Sequence, residues 1–126
     1  MHKFSDHFEV LSMQLPKSGV RLLGDYNVDL LKMNTAPNST GNHTRFEELY
    51  MKAGLSPVIS IPTHSRINCK PSCIDNIFTN DTEKVLLSGC ITDSIGDHYP
   101  IFEISFEQLK PEPKSQKILK HYDYSN

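Results

Sequence analysis

Short apolar runs, separated by polar or turn-forming residues, recur along this sequence and limit the folds that it can adopt. Runs of about four to eight residues suit strands, whereas helices need longer periodic segments. In the last run Phe102, Ile104 and Phe106 alternate with Glu103 and Ser105, which is typical of a strand with one buried face. The sequence therefore predicts about five short strands, at 20–23, 57–61, 74–78, 85–91 and 101–106.

Two other segments have helical spacing. Apolar residues recur three or four apart from Phe4 to Leu15, and again from Phe46 to Ala53, after which Gly54 ends the pattern. Two helices and about five strands indicate a mixed α/β fold of the α+β type.

Length and composition indicate one domain. The chain has 126 residues, of which 37% are hydrophobic and 22% charged, and this is enough for a modest core without disulfides. We expect the domain to span 1–107. The segment 108–126 turns to Pro, Lys, Gln and Ser and is predicted to be a polar, basic tail or linker, with its basic residues at Lys110, Lys114, Lys117 and Lys120.

The formal net charge is −2, so no bulk positive field indicates nucleic acid, and any phosphate contact must come from a local site. No apolar run approaches the roughly 20 residues of a membrane span, and the first residues lack a signal-peptide pattern. The sequence therefore predicts an intracellular protein, nuclear or cytoplasmic, that is neither secreted nor bound to a membrane.

The three cysteines are an odd number and predict reduced thiols rather than a disulfide framework. An alternative is a zinc site that joins Cys69 and Cys73 to His64 and Cys90. The spacing is poor for this interpretation, because no paired knuckle recurs.

Three polar clusters stand at the edges of predicted strands and hold the candidate catalytic residues. Asp75 lies inside an apolar strand, where a carboxylate is costly unless it is paired. His98 is the best candidate partner, because it precedes a strand and has an acid, Asp97, beside it. A carboxylate that binds one imidazole nitrogen leaves the other nitrogen for chemistry. The alternative is an exposed, inert Asp-His pair in a loop.

Asp25 and Asn27 form the remaining cluster and lie two residues apart. On an extended strand both side chains would share one face. Asp25 could then orient or deprotonate a water, and the Asn27 amide could donate to a phosphate oxygen. The alternative for Gly-Asp-Tyr-Asn is a turn.

Together these clusters resemble the carboxy-terminal half of the endonuclease/exonuclease/phosphatase superfamily. Within that superfamily, the surrounding residues are most similar to the endonuclease domains of non-LTR (LINE-type) retrotransposons. The resemblance covers residues 4 to 106, and its motifs lie at 22–31, 61–63, 72–78 and 97–102. It implies half of a four-layer α/β/β/α sandwich. That half would be one mainly antiparallel sheet of about five strands with helices on its outer face.

The resemblance also implies a role for each residue. Asp25 would activate or position the attacking water, and Asn27 would bind the scissile phosphate. Asp75 would orient His98, which would contact the phosphate and either stabilise the pentavalent phosphorus or act as acid/base. Asp97 would hold Mg²⁺ or Mn²⁺, with Asp25 and Asn27 as further candidate ligands.

Three departures from the family pattern qualify these roles. Gly96 replaces the usual serine, and His64 stands where retrotransposon members often have arginine. The early asparagine and the metal-binding glutamate of the family's amino-terminal half have no counterpart, so we expect an incomplete metal site.

The implied activity is metal-dependent phosphodiester hydrolysis, as a retrotransposon DNA endonuclease accompanied by a reverse transcriptase domain. The first alternative is an inactive retroelement-derived fragment or interaction module. A phosphatase or lipid phosphodiesterase of the same superfamily is a third candidate.

Overall fold

A computed structural model describes residues 10, 13–17, 19–32, 41–92 and 96–107. These residues form a mixed α+β fold. In chain order its elements are β1 (Arg21–Asp25), a 3₁₀ turn (Leu30–Lys32), α1 (Gly41–Lys52), β2 (Ser56–Pro57), β3 (Asp75–Thr79), a second 3₁₀ turn (Thr82–Lys84), β4 (Val85–Cys90) and β5 (Ile101–Ser105).

The five strands form two small antiparallel sheets. One has the order β1-β3-β2, and the other pairs β4 with β5. In the first sheet Leu23 lies opposite Ile77, and Asp25 lies opposite Asp75. The antiparallel arrangement agrees with the prediction, but the expected single sheet of about five strands is wrong.

The segment after β2 lies between the two sheets and is not a regular strand. A strand was predicted over 57–61, yet β2 ends at Pro57. The buried Asn76 side chain takes the hydrogen-bonding groups that a ladder would use. Its Oδ1 accepts from the N–H of Val58 at 3.2 Å and of Ile59 at 3.1 Å, and its Nδ2 donates to the Ile59 carbonyl at 2.8 Å. On the β4 side, Ser88 Oγ donates to the Val58 carbonyl at 2.6 Å. Side chains therefore join this segment to β3 and to β4.

The core lies between α1 and the first sheet and is largely aromatic. Phe78 of β3 packs against Phe46, Tyr50 and Tyr26, with ring centroids 5.0 to 5.7 Å apart. The helix ends as predicted, since Gly54 adopts a φ of 67° that favours glycine. The buried cluster consists of Val20, Val28, Phe46, Tyr50, Leu55 and Phe78.

The other face of the first sheet carries a groove. Leu23 of β1 is 63% exposed there, although Ile77, which pairs with it, is buried. The groove has a volume of about 350 Å³ and is lined by Arg21, Leu23, Ile77, Ile101, Phe102, Glu103 and Ser105. Both sheets contribute to its walls.

Several predicted segments fall largely outside the described residues. Of the first predicted helix, Val10, Met13 and Gln14 are helical, and most of its other residues are not described. The polar loop at 34–42 is described only from Gly41 onward, and the tail at 108–126 not at all. Within the described part of the chain, no helix is long and apolar enough to span a membrane.

Asp81 ties the start of β1 to the end of β3. Its side chain is nearly inaccessible, and Oδ2 accepts hydrogen bonds from the Gly19 N–H at 2.7 Å and from Lys84 Nζ at 3.0 Å. The hydrogen bond from Lys84 is the largest cause that lowers the pKa of Asp81. Ionised Asp81 is therefore favoured in the folded state.

Because its pKa is lower in the folded chain, Asp81 should stabilise the fold above its unfolded pKa of about 4. This stabilisation is lost as pH falls through the lower folded pKa. We expect Asp81→Asn to reduce the free energy of unfolding at pH 6, and the difference from wild type to shrink at pH 3. Urea unfolding at both pH values measures this. Glu83→Gln, which changes an exposed acid in the adjacent turn, is the control. A difference that is equal at the two pH values would contradict the assignment.

Candidate active site

The strand register brings two of the candidate carboxylates together. Asp25 is the last residue of β1, Asp75 is the first of β3, and the two lie opposite each other. The end of one antiparallel strand meets the start of its partner, so the first two polar clusters meet at one edge of the sheet. Asp25 is exposed, and Asp75 is half-buried.

Asp75 receives two hydrogen bonds on the same carboxylate oxygen. His98 Nδ1 lies 3.0 Å from Asp75 Oδ2, and Thr63 Oγ1 donates to that oxygen at 2.9 Å. An ionised carboxylate can only accept, so Nδ1 of His98 carries the proton, and Nε2 remains for chemistry. The hydrogen bond to Asp75 is the main cause that raises the pKa of His98. The geometry thus supplies the partner that a carboxylate in this strand requires.

Thr63 organises both sides of this pair, a contribution that sequence reasoning missed. It is completely buried, and its hydroxyl accepts from the Asp75 N–H at 3.0 Å while donating to the Asp75 side chain. Its carbonyl accepts from the Tyr99 N–H at 2.7 Å, which fixes the loop that carries His98. The only sequence signal was its place in the motif at 61–63.

Asp97 is held by a second set of contacts. Arg66 Nε lies 2.6 Å from Asp97 Oδ2, and His64 Nε2 lies 3.5 Å from the same atom. The backbone is fixed as well, since the Ser65 N–H donates to the Asp97 carbonyl at 2.8 Å. The hydrogen bond from Arg66 is the main cause that lowers the pKa of Asp97. Sequence reasoning also missed Arg66, which lies two residues beyond His64.

Asp25 and Asn27 do not lie on one extended strand, as the same-face prediction required. The strand ends at Asp25, and Asn27 adopts a left-handed φ of 53°. The Asn27 N–H donates to Asp25 Oδ1 at 2.9 Å, which is the turn that asparagine and aspartate favour. Tyr26 points inward between them, donates to the Leu22 carbonyl at 3.0 Å, and has its pKa raised to about 12 by burial. Asp25 and Asn27, on either side of Tyr26, are therefore both exposed and lie beside each other.

Two groups of possible metal ligands meet at this edge. The first consists of Asp25, Asp75 and His98, and the second of His64, Asp97 and His98. Within each group the ligand atoms lie within 4.8 Å of one another. His98 belongs to both, so four of the five predicted site residues lie in one connected cluster, with Asn27 adjacent to Asp25.

The cysteine-based zinc site is not formed. The three cysteines form no disulfide, and burial raises the pKa of the Cys73 thiol to about 11. Among the described residues, neither group of possible metal ligands includes a cysteine.

The chain matches no protein-family model, and no curated protein is significantly similar to it.

Proposed function

We propose that this chain is part of a divalent-metal-dependent phosphodiester hydrolase, a DNA endonuclease of the retrotransposon type. The observation that carries the proposal is the Asp75–His98 pair, held at 3.0 Å opposite Asp25. A carboxylate-oriented imidazole beside a second carboxylate is an arrangement suited to moving protons during phosphoryl transfer to water.

His98 is the proposed acid/base. Asp75 holds Nδ1–H, so Nε2 can approach an oxygen of the scissile phosphate. The raised pKa of His98 increases the fraction of imidazolium near neutral pH. Imidazolium can donate a proton to the departing oxygen or stabilise charge on a phosphate oxygen.

Asp25 is assigned to the attacking water, and Asn27 to the scissile phosphate. Asp25 Oδ1 accepts the Asn27 N–H, and the carboxylate as a whole is the candidate to orient the attacking water and accept its proton. The same turn holds Asn27 exposed beside Asp25, where its side-chain amide can donate to a phosphate oxygen as negative charge develops.

In this proposal Asp97, Asp25 and Asn27 would hold a hard divalent cation, Mg²⁺ or Mn²⁺. Asp97 offers carboxylate oxygen, and its lowered pKa keeps it ionised at neutral pH. Asp25 and Asn27 offer further oxygen ligands, the type that Mg²⁺ prefers. When bound, such an ion would neutralise charge on the phosphate.

The proposal extends to the fold, the partners and the compartment. In it, the two sheets belong to one half of a four-layer α/β/β/α sandwich. The exposed Leu23 and the groove beside it support this, because a second sheet would cover such a face. DNA would be the substrate and a reverse transcriptase domain of the parent element a neighbour, in the nucleus or cytoplasm.

A specific contact favours the alternative of an inactive fragment or interaction module. Arg66 already pairs with Asp97 Oδ2 at 2.6 Å and competes with any cation for that oxygen. This contact weakens metal binding at Asp97 without disturbing the Asp75–His98 pair.

Nicking of supercoiled plasmid separates the two candidates. If the site hydrolyses phosphodiesters, the purified chain should convert supercoiled to relaxed plasmid with Mg²⁺ or Mn²⁺, and EDTA should abolish this. Asp25→Asn, prepared in parallel, should lower the rate by at least about 100-fold. Equal nicking by this variant and wild type would indicate a contaminating nuclease. Absence of metal-dependent nicking by the soluble, folded chain would favour the inactive alternative.

A further inference from the structure

The second ligand group contains a residue to which the proposed hydrolysis assigns no role. His64, Asp97 and His98 each offer one ligand atom, within 4.8 Å of one another. His64 Nε2 lies 3.5 Å from Asp97 Oδ2, and the two imidazole rings have centroids 4.7 Å apart. Two imidazoles and one carboxylate therefore converge on one point.

Both rings are oriented by partners on their other nitrogen. His64 Nδ1 lies 3.3 Å from Ser72 Oγ, and His98 Nδ1 lies 3.0 Å from Asp75 Oδ2. Each ring can thus present Nε2 to a ligand. Metal-binding histidines commonly have such partners, which fix the ring and its tautomer.

The backbone at His64 is also fixed. His64 and Ser72 exchange two backbone hydrogen bonds, at 3.0 and 2.9 Å, and His64 forms a further backbone bridge to His98. The His64 side chain is 16% exposed. The His64 ring is consequently held in place before an ion binds. The His98 side chain is more exposed, so its ring can change orientation.

The chemistry of this set differs from that of a magnesium site. Imidazole nitrogen suits zinc and similar transition metals, whereas Mg²⁺ prefers oxygen. Tetrahedral zinc, with bonds of roughly 2.0 to 2.1 Å, places its ligand atoms about 3.3 Å apart. The separation of 3.5 Å between His64 Nε2 and Asp97 Oδ2 is already close to this value. The ligand atom of His98 lies within 4.8 Å of the other two, so the His98 ring would have to approach them by at most about 1.5 Å.

We infer that His64, Asp97 and His98 form a binding site for a transition metal ion of the zinc type, with a fourth position for water or a phosphate oxygen. The site shares Asp97 and His98 with the proposed hydrolase but requires His64, which magnesium binding does not. It can be tested without DNA or Mg²⁺, so its outcome is separate from that of the hydrolase proposal.

Replacing Arg66 should increase the affinity for the metal ion, and an unfolded variant would not show such an increase. Arg66 Nε holds Asp97 Oδ2 at 2.6 Å, and this ion pair must break or rearrange when the carboxylate binds a metal. The Arg66 side chain is 65% exposed, and exposed ion pairs are weak. Its removal should therefore strengthen metal binding modestly.

Titration with Co²⁺, a spectroscopic substitute for Zn²⁺, is the experiment. We expect visible absorption typical of nitrogen and oxygen ligands and one site that His64→Gln weakens at least about tenfold. His43→Gln, which changes a histidine on α1, should leave the affinity unchanged. Arg66→Ala should tighten binding by up to about fivefold.

Three results would overturn the site. One is wild-type chain that binds no Co²⁺ at micromolar to millimolar concentration. Another is equal affinity in wild type and His64→Gln. The third is an intense near-ultraviolet thiolate band, which would assign the ion to cysteine. Circular dichroism of each variant establishes that it is folded.

Discussion

Replacing His98 with alanine is expected to lower metal-dependent nicking by about 10² to 10⁴-fold, the usual contribution of a general acid or base. His98 is the only described histidine whose Nδ1 lies on a strand carboxylate, at 3.0 Å from Asp75 Oδ2. Alanine removes the proton donor and leaves Asp75 with its second partner, Thr63 Oγ1 at 2.9 Å. The carboxylate therefore remains hydrogen-bonded, and the fold should survive.

The nicking rate on supercoiled plasmid at saturating Mg²⁺ measures this effect. His43→Ala is the matched control, because it removes an imidazole from α1 and should leave the rate within about twofold. The thermal unfolding midpoint of both variants should stay near that of wild type. Near-normal nicking by folded His98→Ala would show that His98 does not take part in the reaction. The hydrolase proposal, which depends on His98, would then be contradicted.

Four of the five strands, β1, β3, β4 and β5, and the second predicted helix were predictable, because each depends on a local apolar run or on local periodicity. The alternation that ends at Phe106 predicted β5, and the helical spacing from Phe46 predicted α1. Both are observed, with bounds that differ by a few residues. The irregular segment after β2 was not predictable, because its backbone is bonded by a buried side chain, Asn76, that is far away in the sequence.

The candidate site shows the same limit. An aspartate inside an apolar strand requires a partner, so Asp75 and His98 could be linked from the sequence alone. Thr63 and Arg66 could not be found that way, because their roles arise from contacts with residues far away in the sequence, Asp75 and Tyr99 for Thr63 and Asp97 for Arg66. The turn at Asn27 was available only as an alternative, since its residue types suit both a turn and a strand end.

Asn76→Leu is expected to reduce the free energy of unfolding by about 2 to 4 kcal/mol. Leucine has a similar shape to asparagine but neither accepts nor donates. The Ile59 N–H and carbonyl would lose their Asn76 partners, at 3.1 and 2.8 Å, in a region where Ile59 is buried. Each buried group left unsatisfied costs about 1 to 3 kcal/mol. The Ile59 carbonyl keeps a weak donor, Cys73 Sγ at 3.6 Å, which places the expected total in the lower part of the summed range. Val58 is less affected, because its N–H also donates to the Ile77 carbonyl at 3.0 Å.

Urea unfolding of Asn76→Leu and Ser88→Ala tests whether side chains hold this segment between the sheets. Ser88→Ala removes one hydrogen bond, from Ser88 Oγ to the Val58 carbonyl, and should cost only about 0.5 to 1.5 kcal/mol. If Asn76→Leu cost no more than Ser88→Ala, the Ile59 backbone would have found other partners. The simplest are those of a regular strand over 57–61. In that case the irregular course of this segment would not depend on Asn76, and the periodicity of the sequence would have been the better guide to it.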